Sequence, residues 1–150
     1  MATLATLTVT MSNPYGDMAD PNKIVLDWKS TDLGVVSIAI CSTFATAQGA
    51  MKVSPKKLRG FIRAIETIPG LLGDLTTTLP TTLYDITILD AYGLDVTAGV
   101  LADRSAAVAE TEVPISPLYV DSELTLTIAN AGNAKTGRII IEMASDATVR

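Results

Sequence analysis

The chain contains no histidine, and its only cysteine is Cys41. Histidine is the side chain used most often for general acid–base catalysis, and it is the commonest transition-metal ligand in proteins. Its absence excludes a Ser–His or Cys–His nucleophile within the chain. A single cysteine excludes an internal disulfide and every metal site that needs several thiolates. Composition alone leaves carboxylate-pair or lysine chemistry open, but no segment shows the pattern of such a site. We expect a protein that is not an enzyme and that uses no cofactor.

Charged and aromatic residues are also scarce. Charged residues make up 18% of the 150 residues and aromatic residues 5%, whereas 48% are hydrophobic and the mean hydropathy is +0.37. A disordered chain needs the opposite composition. No apolar run reaches the roughly 18 residues of a membrane span, and the N-terminus lacks the pattern of a signal peptide. The hydrophobic residues lie in many short segments, which indicates one β-rich domain with more apolar surface than a single copy buries.

The charge is unevenly distributed along the chain. The net charge is −5, which argues against a general nucleic-acid-binding protein. Residues 52–66 nevertheless carry five cations and one carboxylate, Glu66. The five cations are Lys52, Lys56, Lys57, Arg59 and Arg63. This basic stretch is either a solvated face or a contact with an acidic surface, such as the acidic part of a neighbouring copy.

Alternation of polar and apolar residues predicts about seven strands. It is clearest in residues 6–11, 24–29, 36–41, 83–89, 123–130 and 138–143. Residues 54–68 fit either a helix or a strand, and the strand is favoured. We expect the strands in 123–130 and 138–143 to form a hairpin. The predicted core consists of Leu7, Leu26, Trp28, Ile38, Ile40, Ile86, Ile88, Leu126, Ile128 and Ile140.

Short strands separated by turn residues indicate an all-β fold. We expect an antiparallel β-sandwich or jelly-roll-like barrel of about seven to eight strands. Residues 1–20 are predicted to form an extended N-terminal segment, and residues 21–150 a single β domain.

Two aspartates flank a glycine turn and are the only candidate metal ligands. Asp90 and Asp95 lie in the run DAYGLD, without the dense oxygen spacing of an EF-hand loop. Hydrogen bonds from these carboxylates to the turn backbone are the favoured interpretation, and a cation site is the weaker one. Glu110, Glu112 and Arg104 show no pattern of an acid–base pair. Cys41 is expected to be a small buried hydrophobic residue.

Three segments resemble small structural proteins of tailed bacteriophages. They are LYDITILDAYGLDV (residues 83–96), GVLADRS (99–105) and LTLTIANAGNAKTG (124–137). The resemblance covers about two thirds of the chain, rests on strand and turn motifs and favours a strand over a helix in residues 58–68. It implies a virion protein without enzymatic activity, and most simply a capsid decoration (cement) protein that ties neighbouring capsid subunits together as a homotrimer.

Two other functions remain open. One is a neck, tail or baseplate component, and the other is a receptor- or glycan-binding module on the virion surface. In each case the expected location is the virion, assembled in the host cytoplasm. The expected partners are further copies of the chain and the major capsid protein or other virion proteins, with neither nucleic acid nor membrane.

Two segments are expected to carry the contacts to these partners. Residues 2–20 include an alternating strand that could extend a neighbour's sheet, and residues 97–121 are long, apolar and poor in charge. The alternative is that both segments fold back on their own domain. With the basic stretch, the predicted contact residues are Leu7, Val9, Met11, Lys56, Lys57, Arg59, Val113, Ile115, Leu118 and Tyr119.

Overall fold

A computed structural model describes residues 4–12, 23–45, 51–55, 57–70, 79–114 and 118–144. Every regular element in these ranges is a β-strand. The strands are β1 (Thr6–Ser12), β2 (Lys23–Lys29), β3 (Val36–Ala39), β4 (Cys41–Ala45), β5 (Met51–Pro55), β6 (Lys57–Pro69), β7 (Asp85–Leu89), β8 (Glu110–Glu112), β9 (Leu118–Glu123), β10 (Thr125–Ala129) and β11 (Thr136–Ala144). No helix among the described residues is long and apolar enough to cross a membrane.

Two antiparallel sheets form a sandwich. The large sheet has the order β1-β2-β11-β6, and both β8 and β9 pair with the far side of β6. The small sheet has the order β3-β10-β7, and β4 and β5 form a separate two-stranded sheet. The all-β, antiparallel sandwich is therefore confirmed, whereas the barrel is not, because the large sheet ends at β1 on one side and at β8 and β9 on the other.

The described residues form eleven strands, more than the seven to eight expected. The additional strands β4, β5, β8 and β9 lie where the sequence alternates weakly. The described residues of the segment 54–68 are extended as favoured: Ser54 and Pro55 end β5, and β6 begins at Lys57. From the predicted extended segment 1–20, residues 6–12 pair with β2 along their whole length.

The core lies between the sheets and follows the period-two pattern of the strands. Trp28, Leu26, Ile40, Ile86, Ile88, Leu126 and Ile128 are buried as predicted. Leu7 and Ile38 are only partly buried and pack against the edge of the core. The prediction for Ile140 is wrong, because β11 buries Ile139, Ile141 and Met143 and turns Ile140 to its outer face. In the run of three consecutive isoleucines, alternation alone cannot tell which face is inside.

The predicted hairpin between residues 123–130 and 138–143 is also wrong. Both strands exist, but β10 pairs with β3 and β7, whereas β11 pairs with β2 and β6. The chain therefore crosses from the small sheet to the large one between Asn130 and Lys135. Asn130 and Ala134 have positive φ values of 61° and 50°, which redirect the backbone.

A second crossing lies beside the first. The chain passes from β2 to β3 through residues 30–35, and the two crossings are joined by backbone hydrogen bonds. The Ser30 N–H donates to the Lys135 carbonyl at 2.8 Å, and the Ala131 N–H donates to the Gly34 carbonyl at 3.1 Å. Two connections, residues 30–35 and 130–135, therefore close one end of the sandwich and are hydrogen-bonded to each other.

Candidate interaction surface

An open groove lies on the outer face of the large sheet. Its volume is about 560 Å³, and it is lined by Lys23, Arg63, Ala64, Val113, Glu142 and Met143. A second depression of about 230 Å³ adjoins it and shares Ala64 and Glu142. Ligand pockets usually enclose most of a small molecule among apolar side chains. This groove is open rather than enclosed, and its lining carries side chains of both charges.

A β-bulge in β6 shapes this groove. Glu142 is opposite Ala64, but Met143 is opposite Ile62, so Arg63 is an extra residue in the ladder. A bulge changes the direction of the side chain that it carries. Arg63 is consequently exposed beside the groove, and no ion pair of Arg63 is found within the described residues.

Arg104 is the most deeply buried charged side chain described, with 3% of its surface exposed. Its Nη1 donates to Glu112 Oε1 at 2.7 Å, and its Nε lies 3.3 Å from Glu110 Oε2. The Nε also donates to Thr67 Oγ1 at 3.1 Å, and Nη1 donates to the Val100 carbonyl at 3.3 Å. Nη2 is buried without a hydrogen-bond partner in the described structure.

This arrangement gives Glu110 and Glu112 a structural role that the sequence did not indicate. Both belong to β8 and face the inner side of the large sheet, since their partners across β6 are the buried Thr67 and Ile65. The carboxylates compensate the buried guanidinium and fasten β8 to the 97–104 loop.

The buried Tyr84 lies within the electrostatic influence of the same cluster. Burial raises the pKa of Tyr84 from its ordinary 10.0 to about 12, although the positive charge of Arg104 acts in the opposite direction. The phenol is therefore held in its neutral form, which suits a ring that packs 5.7 Å from the ring of Trp28.

Asp90 and Asp95 hold two successive turns through hydrogen bonds to the backbone. Asp90 Oδ1 accepts from the N–H groups of Tyr92 and Leu94 at 2.8 and 3.0 Å. Asp95 accepts from the N–H groups of Ile88, Thr97 and Gly99 and from the Thr97 hydroxyl, at 2.7–3.3 Å. These bonds agree with the favoured interpretation of both aspartates. Within the described ranges, no group of three or more acidic, cysteine or histidine side chains could hold a metal ion.

The first of these turns projects two apolar side chains into solvent. Tyr92 is 90% exposed and Leu94 is 67% exposed. The turn is also tied to the domain, because the Ala91 N–H donates to Ser122 Oγ at 2.9 Å. We call residues 90–95 the tyrosine turn. Tyr92 and Leu94 were not among the contact residues predicted from the sequence. The signal that could have indicated them is an aromatic residue at the tip of a turn flanked by two aspartates.

Five of the predicted contact residues lie in β1 and β9, at two opposite edges of the large sheet. Leu7 and Val9 are on the half-buried inner face of β1, and Met11 belongs to the same strand. Leu118 and Tyr119 are in β9, beyond β2, β11 and β6. Tyr119 is 48% exposed and packs 5.2 Å from the ring of Phe61, while Leu118 packs against the core. Val113 is 70% exposed in the groove. Lys56 and Ile115 lie outside the described residues.

Part of the basic stretch faces acidic residues of its own chain. Arg59 is the cross-strand partner of Asp121, and Lys57 is the partner of Glu123. Opposite charges at facing positions of an antiparallel pair stabilise the pair. An acidic residue next to Arg59 is therefore supplied by β9, which weakens the case for a neighbouring copy as the partner of Arg59.

The described parts of the segment 97–121, residues 97–114 and 118–121, are largely folded onto the domain rather than available as a free connection. Leu101 is buried, Arg104 is buried, and β8 and β9 belong to the large sheet. Val100, Val108 and Val113 of this segment remain exposed.

No protein-family model, curated protein or solved structure matches the chain.

Proposed function

We propose that the protein is a non-enzymatic structural subunit that binds other proteins through exposed, rigidly held side chains. The observation that carries this proposal is the tyrosine turn, which holds Tyr92 and Leu94 in solvent with four hydrogen bonds to and from Asp90. Tyrosine is enriched among the few residues that dominate the binding energy of protein interfaces.

The rigidity of the tyrosine turn favours binding. Ordering a flexible loop costs free energy when a complex forms, and a turn that is already fixed avoids most of that cost. Complete burial of a leucine side chain contributes about 1.5–3 kcal/mol. Tyr92 and Leu94, held at a fixed spacing, would therefore contribute to the free energy of binding without any rearrangement of the domain.

The buried ionisable groups support a structural role. Arg104, Glu110 and Glu112 contact one another and hold β8 and the 97–104 loop in place. The contacts of Arg104 with Glu110 and Glu112 link parts of the same domain. Burial raises the pKa of Tyr84 and keeps its phenol neutral.

The resemblance to tailed-bacteriophage structural proteins suggests the kind of assembly. A capsid decoration protein binds the outside of the head, and links between neighbouring capsid subunits oppose the pressure of the packaged DNA. We propose this role for the chain, with the major capsid protein as its partner and a homotrimer as its form on the shell. A neck, tail or baseplate position is the alternative within the same class.

The number of copies in purified particles distinguishes these positions. Quantitative mass spectrometry against the major capsid protein should give hundreds of copies per particle for a decoration protein. A few dozen copies or fewer would assign the protein to the neck or tail, and its absence from particles would reject the virion proposal.

A binding experiment tests the tyrosine turn directly. Purified protein is added to particles that lack it, and the bound fraction is measured for the wild type and for the double variant Tyr92→Ser/Leu94→Ser. We expect the double variant to lose most of its binding. Leu33→Ser is the matched control, because Leu33 is 83% exposed in the connection at the opposite end of the small sheet. Equal binding by wild type and double variant would reject the proposed contact.

Tyr92 also favours the glycan-binding alternative, since an exposed aromatic ring can stack on a sugar. Trp28, the chain's one tryptophan, is buried and unavailable for this purpose. Specific glycan binding by the isolated protein that Tyr92→Ser abolishes would support this second function and argue against capsid attachment.

A further inference from the structure

The exposed edges of the two sheets differ in how well they are protected against pairing with another strand. Proteins protect edges with short strands, charges, bulges or covering loops. In the small sheet, β7 is covered by residues 95–104: the Val96 N–H donates to the Ile88 carbonyl at 2.8 Å, and the Ile86 N–H donates to the Leu101 carbonyl at 3.0 Å. The other edge of that sheet, β3, has only four residues.

In the large sheet, the edge opposite β1 is short and charged. There β8 has three residues, two of them glutamates, and β9 carries Asp121 and Glu123. By contrast, β1 has seven residues with the sequence TLTVTMS and contains no charge, proline or glycine. All seven pair with β2 in an unbroken register. β3 and β4 approach β1, but within the described residues only β2 pairs with it.

The sequence of β1 is complementary to itself in the antiparallel direction. When Val9 faces Val9 of a second copy, all seven residues overlap. Leu7 then faces Met11, Thr8 faces Thr10, and Thr6 faces Ser12, so that every aliphatic residue meets an aliphatic residue and every hydroxyl meets a hydroxyl. Shifting the register by one residue would place threonine opposite valine and would turn the inner face of one copy outward.

We propose that β1 pairs with β1 of a second copy about a two-fold axis at Val9, joining the two large sheets into one continuous sheet. A two-fold contact uses the same surface on both partners, as this palindromic pattern requires. The Thr8–Thr10 pairs lie on the outer face, where these threonines are exposed. Leu7 and Val9 are half-buried in one copy, and the second copy would cover them further. This contact uses the β1 edge alone and therefore does not depend on a virion location. On a shell, the contact would join neighbouring trimers.

The first test places charges at the proposed facing positions. The variant Thr8→Lys/Thr10→Lys puts like charges face to face at both of the Thr8–Thr10 pairs, and we expect the dimer dissociation constant, measured by sedimentation equilibrium, to rise at least about tenfold. A mixture of this variant with Thr8→Glu/Thr10→Glu should recover a heterodimer of near wild-type affinity, because each lysine then faces a glutamate. Thr111→Lys is the matched control, since Thr111 is an exposed threonine at the opposite edge of the same sheet.

The second test determines the register. Val9→Cys should form a covalent dimer under mild oxidation, because the two introduced cysteines face each other. Leu7→Cys should not, since its two copies would lie four residues apart along the strands, beyond the reach of a disulfide. The wild type controls for Cys41. A wild type that is monomeric at its highest soluble concentration, a dimer unaffected by the paired lysines, or equal cross-linking at positions 7 and 9 would each overturn the proposal. All three results leave the proposed tyrosine-turn contact untouched.

Discussion

Gly137 lies directly against the indole ring of Trp28. The two residues are cross-strand partners in β11 and β2, and a β-carbon at position 137 would lie 2.5 Å from Cζ2 and 2.7 Å from Cε2 of the indole. The ring of Trp28 is also in contact with Tyr84, 5.7 Å away at the beginning of the small sheet. The missing side chain at position 137 therefore creates the space in which the largest core residue connects the two sheets.

Gly137→Ala should consequently destabilise the domain severely. Both Trp28 and the β11 backbone are held by their neighbours, so the clash cannot be relieved locally. We expect a loss of about 3 kcal/mol, the upper end of the usual range for overpacking. Gly99→Ala is an informative control, because no atom lies within 4 Å of its added β-carbon and only the strain of its positive φ, about 1–2 kcal/mol, applies. Urea unfolding followed by tryptophan fluorescence measures both. A Gly137→Ala variant no less stable than Gly99→Ala would contradict this account.

The Arg104 cluster predicts an asymmetry between its partners. Removing the carboxylates in Glu110→Gln/Glu112→Gln leaves a buried guanidinium without compensation, which should cost about 3–5 kcal/mol. Arg104→Met should cost less, because the two glutamate side chains are 34% and 39% exposed and can be hydrated. The free energies of unfolding in urea test this order. If Arg104→Met proves the more damaging change, packing rather than charge compensation dominates at this site.

Tyr84 should make the domain sensitive to alkaline pH. Its folded pKa of about 12 exceeds the ordinary value of 10.0, so its contribution to stability is complete below pH 10 and is lost as the pH rises through 12. The two-unit difference corresponds to about 2–3 kcal/mol. Unfolding free energies measured between pH 9 and about 12 should show this loss in the wild type and in Tyr92→Phe. In Tyr84→Phe the slope should be smaller; an unchanged slope would show that another group causes it.

Asp95 should control access to the edge of β7. Four hydrogen bonds end on its carboxylate and fix the start of the loop that covers that edge. We expect Asp95→Ala to increase amide hydrogen exchange at Val96 and Ile86, whose N–H groups bond across this edge, and to promote aggregation. Asp32→Ala, at an exposed turn position, provides the control. Unchanged exchange in Asp95→Ala would mean that packing of Leu101 alone holds the loop.

Local patterns predicted the strands better than their pairing. Ile24, Leu26 and Trp28 alternate with polar residues, and they are buried in β2 as that pattern indicates. The assignment of β10 and β11 to different sheets depends on the crossing at residues 130–135, and its hydrogen bonds to residues 30–34 join positions about 100 residues apart. A turn-rich segment between two strands fits a hairpin and a crossing equally well, so the sequence could not distinguish them.

The candidate site was predicted less completely than the fold. Alternation in residues 6–11 was visible and correctly indicated the strand that the structure extends to Ser12, but its position at an edge is a property of the whole sheet. The link from Arg104 to Glu110 and Glu112 was not foreseen, because it depends on a loop that folds beneath β8. Likewise, the pairing of Arg59 with Asp121 requires β9 to lie beside β6, which no local pattern indicates.

The central position of β11 determines the order in which the large sheet can form. This strand lies between β2 and β6, whose residues precede it by about 110 and 75 positions respectively. During synthesis, β1 with β2 and β6 with β8 and β9 can meet only as separate fragments until residues 136–144 have left the ribosome. Closing such long loops is slow, because their entropy is lost before the contacts form. The nascent chain therefore exposes the apolar faces of both fragments until β11 inserts between them. We expect this protein to be most prone to aggregate while it folds, before β11 is in place.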